Sequence, residues 1–319
     1  MGLRRFIIQR LLASIPVMLG VSIVPFGLVH LTPTDVVDVI IGIDPNATPA
    51  DKAQLRAELG FDRPVYVQYL DWLTDMLQGD FGEVYTMGPD AATLVASRWE
   101  ETVALGLFGW VFALLISIPT GIYAAVRKGQ LGDDASRFVA LFGISIPNFW
   151  LGLMLLAILA VQFDVFSVTP PVREPLLSRP MLWWLILPGI TIGTAASASL
   201  MRIMRTSMVE EMNKEYVTAA RAKGLPERTV ILKHVLRNSL ISVTTVAAFL
   251  TASIVSGSVV VETVFGWPGL GILFIDAATR QEINLILAIT LLTGLAIIIA
   301  NLLADIMYAV LDPRIRDEY

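Results

Sequence analysis

Apolar residues gather into six long blocks with polar stretches between them: about Phe6 to Leu31, Thr102 to Val126, Phe138 to Phe163, Trp183 to Ile203, Leu240 to Val264 and Leu285 to Leu311. At 1.5 Å per helical residue, roughly 20 such residues cross the ~30 Å hydrocarbon layer of a bilayer. The pattern therefore predicts an all-α polytopic membrane protein with six transmembrane helices. Residues 1-31 hold the N-terminus and first transmembrane helix, 32-98 an external loop subdomain, 99-311 a core of five transmembrane helices, and 312-319 a C-terminal segment. The first block outruns the apolar stretch of a secretory signal, and no small-residue cleavage site follows before Pro33, so it reads as a retained span.

Between Thr32 and Arg98 the pattern changes to short apolar groups among eleven acidic and four basic residues. Pro49 to Leu59, backed by Gly60, reads as a capped short helix. Val65 to Leu77 reads as an amphipathic one, with Tyr66, Tyr69, Leu70, Leu73 and Leu77 as its stripe. Gly79-Asp80-Phe81-Gly82 reads as a turn. Pro16, Pro25, Pro119, Pro147 and Pro188 lie inside the apolar blocks, where each can kink a helix and release carbonyls for neighbours to satisfy.

One long polar stretch, 210-240, interrupts the later blocks. Met208, Met212, Tyr216, Ala219, Ala220 and Lys223 recur at helical spacing, after which Gly224 and Pro226 force a break: glycine takes the left-handed conformation that ends a helix, and proline suits the start of the next. The stretch and its approach carry eight Lys or Arg, which places this elbow in the cytoplasm together with the Arg127 to Arg137 loop and both termini, opposite the acidic loops. Ala219 and Ala220 before the glycine permit close approach by another protein, so the elbow reads as a docking surface.

Composition narrows the function. A chain of 319 residues with 55% hydrophobic and 16% charged residues and a mean hydropathy of +0.69 is integral to a membrane. It has no cysteine, which removes disulfides, thiolate metal sites and a cysteine nucleophile; His30 and His234 stand far apart without carboxylate clusters, so no metal site is expected. A phosphate-binding loop of the G-x-x-x-x-G-K-[ST] type is absent. Gly271 to Asp276, which looks like an apolar strand ending in an acid, falls in a loop expected outside the cell. Asp305 is the clearest ionisable residue at membrane depth, and its spacing suits a helix-end bond or an ion pair with Arg or Lys within the bundle. An intramembrane hydrolase would need facing catalytic groups, and a proton-driven carrier further acids or histidines, in the spans; neither pattern is there. Positive-inside bias accounts for the basic elbow without nucleic acid.

The elbow resembles the cytoplasmic loop of binding-protein-dependent ABC importer permeases, whose pattern is Glu-Ala-Ala, three residues, then Gly; here it runs Thr218-Ala219-Ala220-Arg221-Ala222-Lys223-Gly224. Thr218 replaces the family's Glu, and Leu236-Arg237 its Leu-Pro. These departures are similar to the peptide branch, as are Gly224-Leu225 and His234-Val235-Leu236-Arg237-Asn238. Leu59 to Pro64, Gly79 to Gly82, Ser145-Ile146-Pro147, Glu262 to Phe265, Pro268 to Gly271 and Asp312 to Arg316 extend the resemblance over nearly the whole chain. It implies the first of two permease subunits of a dipeptide/oligopeptide importer, with the type I permease fold and no catalytic site of its own. The implied partners are a second homologous permease, two cytoplasmic ATP-binding subunits that bind the ATP and Mg, an external substrate-binding protein and membrane lipid. The implied coupling residues are Thr218, Ala219, Ala220, Arg221, Lys223, Gly224, Leu225, His234 and Arg237. Oligosaccharides, nickel or glutathione are alternative cargoes within the same architecture, and a free-standing channel or secondary carrier is a remote one.

Overall fold

The computed structural model describes residues 3–31, 37, 41, 48–171 and 174–311; the segment Asp312 to Arg316 lies outside them. All regular structure among the described residues is helical. In chain order the helices are α1 (Leu3–His30), α2 (Pro49–Glu58), α3 (Val65–Leu77), α4 (Ala91–Val126), α5 (Leu131–Ser145), α6 (Asn148–Leu155), α7 (Arg179–Trp184), α8 (Ile186–Met212), α9 (Glu215–Ala222), α10 (Glu227–Thr229), α11 (Leu236–Phe265), α12 (Leu270–Arg280) and α13 (Ile283–Leu311). Wider π-helical turns continue α6 through Leu156–Gln162 and join α10 to α11 through Val230–Val235.

Among the described residues, four helices are long and apolar enough to cross a bilayer: α1, α4, α8 and α13. Two further apolar stretches among the described residues are bent pairs, Leu131–Ser145 with Asn148–Gln162 and Ser258–Phe265 with Leu270–Arg280, which bring the count among these residues to six where each pair crosses as one. The first pair turns through 102° at Ile146-Pro147. A proline disfavours helical geometry in the residue before it, and Ile146 is extended, at φ −81° and ψ 125°. The expected kink is therefore a full break. Pro188, by contrast, sits in the first turn of α8, where its missing N–H leaves no bond of that helix unmade. Gly271 to Asp276 is also reassigned: it belongs to helix α12, not to a loop.

The chain forms two compact units. The first comprises residues 1–10, 101–268 and 299–319. Its centre is α8, of whose apolar window 61% is buried, against 22% for α4. Small residues explain why it can sit there: Gly189, Gly193, Ala196, Ser197 and Ala198 let neighbouring helices come close, and van der Waals fit is what holds helices together where lipid is as apolar as leucine. Thr191, Thr194 and Ser197 each donate their hydroxyl to a carbonyl of their own helix, so the buried polar atoms are satisfied locally. Around α8 the core collects Leu105 and Ala113 from α4, Trp184 from α7, and Val243, Val261 and Phe265 from α11.

The second unit joins 11–100 to 269–298, so the helices of the 32-98 segment share a unit with part of α1, α12 and the start of α13. Thr48 caps α2 in a capping box with Asp51, and Gly60 follows with φ +74°. Helix α3 has the expected bounds but a different buried face. Met76 is buried and Tyr69 and Trp72 are half-buried, whereas Tyr66, Leu70 and Leu77 of the expected stripe are exposed. The reason is an aromatic group: Phe26 of α1 packs against Tyr69 at 5.4 Å and Trp72 at 5.3 Å, and Ser22 Oγ meets Tyr69 Oη at 2.8 Å.

The segment 80–87 is fastened to the α12–α13 junction. Glu282, 2% exposed, accepts the backbone N–H groups of Tyr85 at 3.1 Å and Thr86 at 2.5 Å, and Asn284 Nδ2 donates to the Glu83 carbonyl at 3.1 Å. Val84 and Phe81 pack beside Leu285 and Leu287 in the same core. A buried carboxylate is costly unless hydrogen-bonded, and these two N–H groups supply that.

Candidate functional site: the polar elbow

Helix α8 does not continue into α9, as the Met208 to Lys223 spacing suggested; Asn213 and Lys214 break it, with Lys214 extended at ψ 149°. The elbow is thus three pieces: the end of α8, then α9, then α10 with its π turn. Consequently Tyr216 and Ala219 do not share a face with Met208 and Met212. Val217, Ala220, Val230 and Val235 supply the inner side instead, in the same core as Met204 and Met208.

Gly224 carries the turn. Its φ of +75° is the left-handed conformation, and the Leu225 N–H reaches the Ala220 carbonyl at 3.4 Å while the Gly224 N–H reaches Arg221 at 2.9 Å, the Schellman pattern that closes a helix C-terminus. Pro226 follows as the residue that caps α10. Across the turn Arg221 grips Glu227 with two hydrogen bonds, 3.1 Å from Nε and 2.6 Å from Nη2. This fork holds the Glu227 carboxyl below its ordinary range.

A second tie secures the entry. Tyr216 donates to Glu211 at 2.6 Å and accepts from Asn238 Nδ2 at 2.9 Å, and Lys214 pairs with Glu211. Burial, then the Glu211 carboxylate, push the Tyr216 hydroxyl up in pKa, so it remains a donor at neutral pH. At the base of the elbow Arg205 forks onto Asp133 at 2.5 and 2.6 Å, and Gly129 N–H donates to the same carboxylate at 2.9 Å.

Of the residues expected to act, Thr218, Ala219, Arg221, Lys223, Gly224, Leu225 and Arg237 are exposed, His234 is half-buried and Ala220 is buried. Thus Ala220 serves packing within the chain, while Ala219 remains outward. Leu225 and Leu232 are exposed at 38% and 44%, apolar points on a basic surface that includes Lys223, Arg228 and Lys233. Sequence reasoning missed Glu211, Val217 and Asn238, which stiffen the elbow from inside. Among the described residues no group of three or more His, Asp or Glu could hold a metal ion. The elbow offers a shaped, charged contact surface. Elsewhere, Asp305 lies 3.4 Å from Arg10 Nε, the ion pair within the bundle that its position suggested.

Two family descriptions match the chain: binding-protein-dependent transport system inner membrane component over residues 117–317, and the N-terminal region of such membrane components over residues 3–102. The oligopeptide transport system permease protein AppB of Bacillus subtilis is 39% identical over 97% of this chain and 98% of its own length. The dipeptide transport system permease protein DppB of Escherichia coli is 34% identical over 98% of each chain, and the glutathione transport system permease protein GsiC of Salmonella choleraesuis 36% over 98% of each. Among solved structures, a chain of the MetNI methionine ABC transporter in an inward-facing conformation superposes with a TM-score of 0.53 at 17% identity, covering 69% of this chain and 96% of that one. That likeness concerns the fold and supports the type I permease architecture. With two family descriptions spanning nearly its whole length and full-length relatives above 30% identity, the chain belongs to the inner-membrane permeases of binding-protein-dependent ABC transport systems.

Proposed function

We propose that this permease carries short peptides, pairs with a second homologous permease, and is driven by two cytoplasmic ATP-binding subunits docked on the elbow, with an external substrate-binding protein delivering cargo. The relatives named for oligopeptide and dipeptide transport support the cargo. The observation that carries the coupling role is the elbow itself: a left-handed glycine turn, stiffened by Arg221–Glu227 and Tyr216–Glu211, that leaves Thr218, Ala219, Lys223 and Leu225 exposed. A stiff exposed lever transmits closure of an ATPase pair into movement of α8 and α11, to which it is continuous, and so alternates access to the path between the permeases. Hydrolysis then belongs to the partners, which hold ATP and Mg; this chain supplies no catalytic group. Both termini and the elbow face the cytoplasm on this reading, and the acidic 32-98 segment faces outward.

The test is uptake in vesicles holding both permeases, the ATPases and the binding protein. Labelled di- to pentapeptides should accumulate only with ATP, and excess peptide should compete better than glutathione. Because GsiC is 36% identical, glutathione is the second reading, and preferential competition by glutathione would replace peptides with it. For orientation, cysteine at Asp75 should react with a membrane-impermeant thiol reagent on intact cells, and cysteine at Glu227 only after permeabilisation. The reverse labelling would invert the topology and remove the docking role.

A further inference from the structure

Helix α3 keeps an apolar stripe that this chain does not cover. Tyr66, Leu70 and Leu77 are 69%, 57% and 80% exposed, and their spacing sets them within ~40° of one another around the helix. The neighbouring face carries Tyr69, Trp72 and Met76 and packs inward, so apolar residues span about half of the circumference while only part of that arc is buried. Asp75 is exposed on the opposite side.

The level at which α3 is attached to α1 says what meets the uncovered part. The apolar window of α1, Ile7–His30, is 24 residues long, which is ~36 Å against ~30 Å of hydrocarbon. Ser22 lies ~12 Å before the end of that window, and so within the hydrocarbon even when all the excess length projects at this end. To that last stretch α3 is tied three times: Tyr69 Oη meets Ser22 Oγ at 2.8 Å, Trp72 packs on Phe26 at 5.3 Å, and Gln68 Oε1 meets His30 Nε2 at 3.0 Å. The helix therefore lies where hydrocarbon gives way to headgroups. At the same level Val24 and Leu28 of α1 are 58% and 59% exposed, so the stripe of α3 continues an apolar surface that a spanning helix presents to lipid.

We propose that α3 is an interfacial helix, with Tyr66, Leu70 and Leu77 buried at the boundary between headgroups and acyl chains in the leaflet where α1 ends, and Asp71 and Asp75 turned to water. Amphipathic helices settle at that depth, and a tyrosine there has its ring in the apolar layer and its hydroxyl among the headgroups. Such helices often add attraction between Lys or Arg and anionic lipid; α3 contains neither residue, so apolar burial and the ties to α1 hold it, whatever the headgroup charge. The membrane surface thus fixes the height of the 32–98 segment, and nothing in this placement depends on the cargo.

The chain has no cysteine of its own, so single cysteines at Leu70, Leu77 and Asp75 carry a nitroxide in the complete complex in lipid nanodiscs, the signal of the complex without the added cysteine being subtracted. The ratio of collisions with oxygen, which concentrates among acyl chains, to collisions with a water-soluble nickel chelate should be severalfold higher at Leu70 and Leu77 than at Asp75. It should be the same in zwitterionic and in anionic lipid. Chelate access at Leu70 and Leu77 equal to that at Asp75 puts the stripe in water and overturns the proposal. Shielding from both reagents means that the second permease covers the stripe, and shielding that appears only on adding the external binding protein means that this protein does; either result refutes the lipid contact. Loss of the contact in zwitterionic lipid alone refutes the apolar anchor. A parallel measurement needs no substitution: the wild-type complex is irradiated in nanodiscs containing a phospholipid with a diazirine in the upper part of its acyl chain, then digested. Adducts are expected on the 65–77 peptide, and their absence while α1 is labelled contradicts the proposal.

Discussion

Gly82 and Gly224 hold nearly the same backbone conformation, at φ +81° and +75°, in two different units, and their surroundings are opposite. A Cβ built on Gly82 would stand 2.7 Å from Asn284 Nδ2 and 2.8 Å from its Cγ, whereas one built on Gly224 meets nothing within 4 Å. The first glycine lets a segment lie against the α12–α13 junction. The second shapes a turn whose outside is open. The same local demand thus serves internal packing in one unit and an outward surface in the other, and only the second kind gives a side chain added there something other than this chain to disturb.

The largest loss of stability is expected at the fastening beside Gly82. Glu282→Ala leaves the Tyr85 and Thr86 N–H groups without their acceptor, at about 1–3 kcal/mol each. A clearly lower thermal midpoint of the assembled complex and faster amide exchange at both residues should follow. An unchanged midpoint would mean that the second unit does not depend on this contact. Gly82→Ala comes next, at about 1–3 kcal/mol, from left-handed strain with displacement of Asn284, a flexible side-chain end that can give way. If Gly82→Ala and Gly224→Ala destabilise equally, the contrast between the two glycines is wrong.

The smallest expected effect is at the Arg221–Glu227 fork, where both partners are exposed and water screens the pair. Glu227 is held below its ordinary carboxyl range, so the bond contributes fully above that range and is lost as pH falls through the lowered value. Glu227→Gln should therefore shift the midpoint slightly at neutral pH and not at all in strong acid, as followed by thermal scans against pH.

Much of this arrangement was legible in the sequence. The long apolar blocks, Pro49 to Leu59 with Gly60 behind it, Val65 to Leu77 and the glycine turn at 224 all follow from local rules of period, capping and left-handed glycine. What was not legible depended on contacts distant in the chain. The buried face of α3 is chosen by Phe26, not by its own stripe, and α12 was hidden because eleven residues of mixed polarity beside Gly269 and Gly271 look like a loop until they pack. The break after Met212 escaped because Asn213 and Lys214 sit within an otherwise unbroken helical spacing. In the elbow the basic residues and the glycine turn were readable from the sequence and the burial of Ala220 was not, while the ties that stiffen it, Tyr216 to Glu211 and Asn238, join positions with no sequence pattern in common.

The claim that the elbow transmits ATPase motion is tested most directly by Gly224→Val in the complete reconstituted complex. Left-handed strain of about 1–2 kcal/mol at a position with open surroundings should lower the thermal midpoint only slightly and leave membrane insertion and assembly with the second permease close to wild type. Substrate-stimulated ATP hydrolysis and uptake, measured on the same vesicles, should fall together by at least tenfold. An assembled Gly224→Val complex that couples hydrolysis to uptake at the wild-type level would contradict the account.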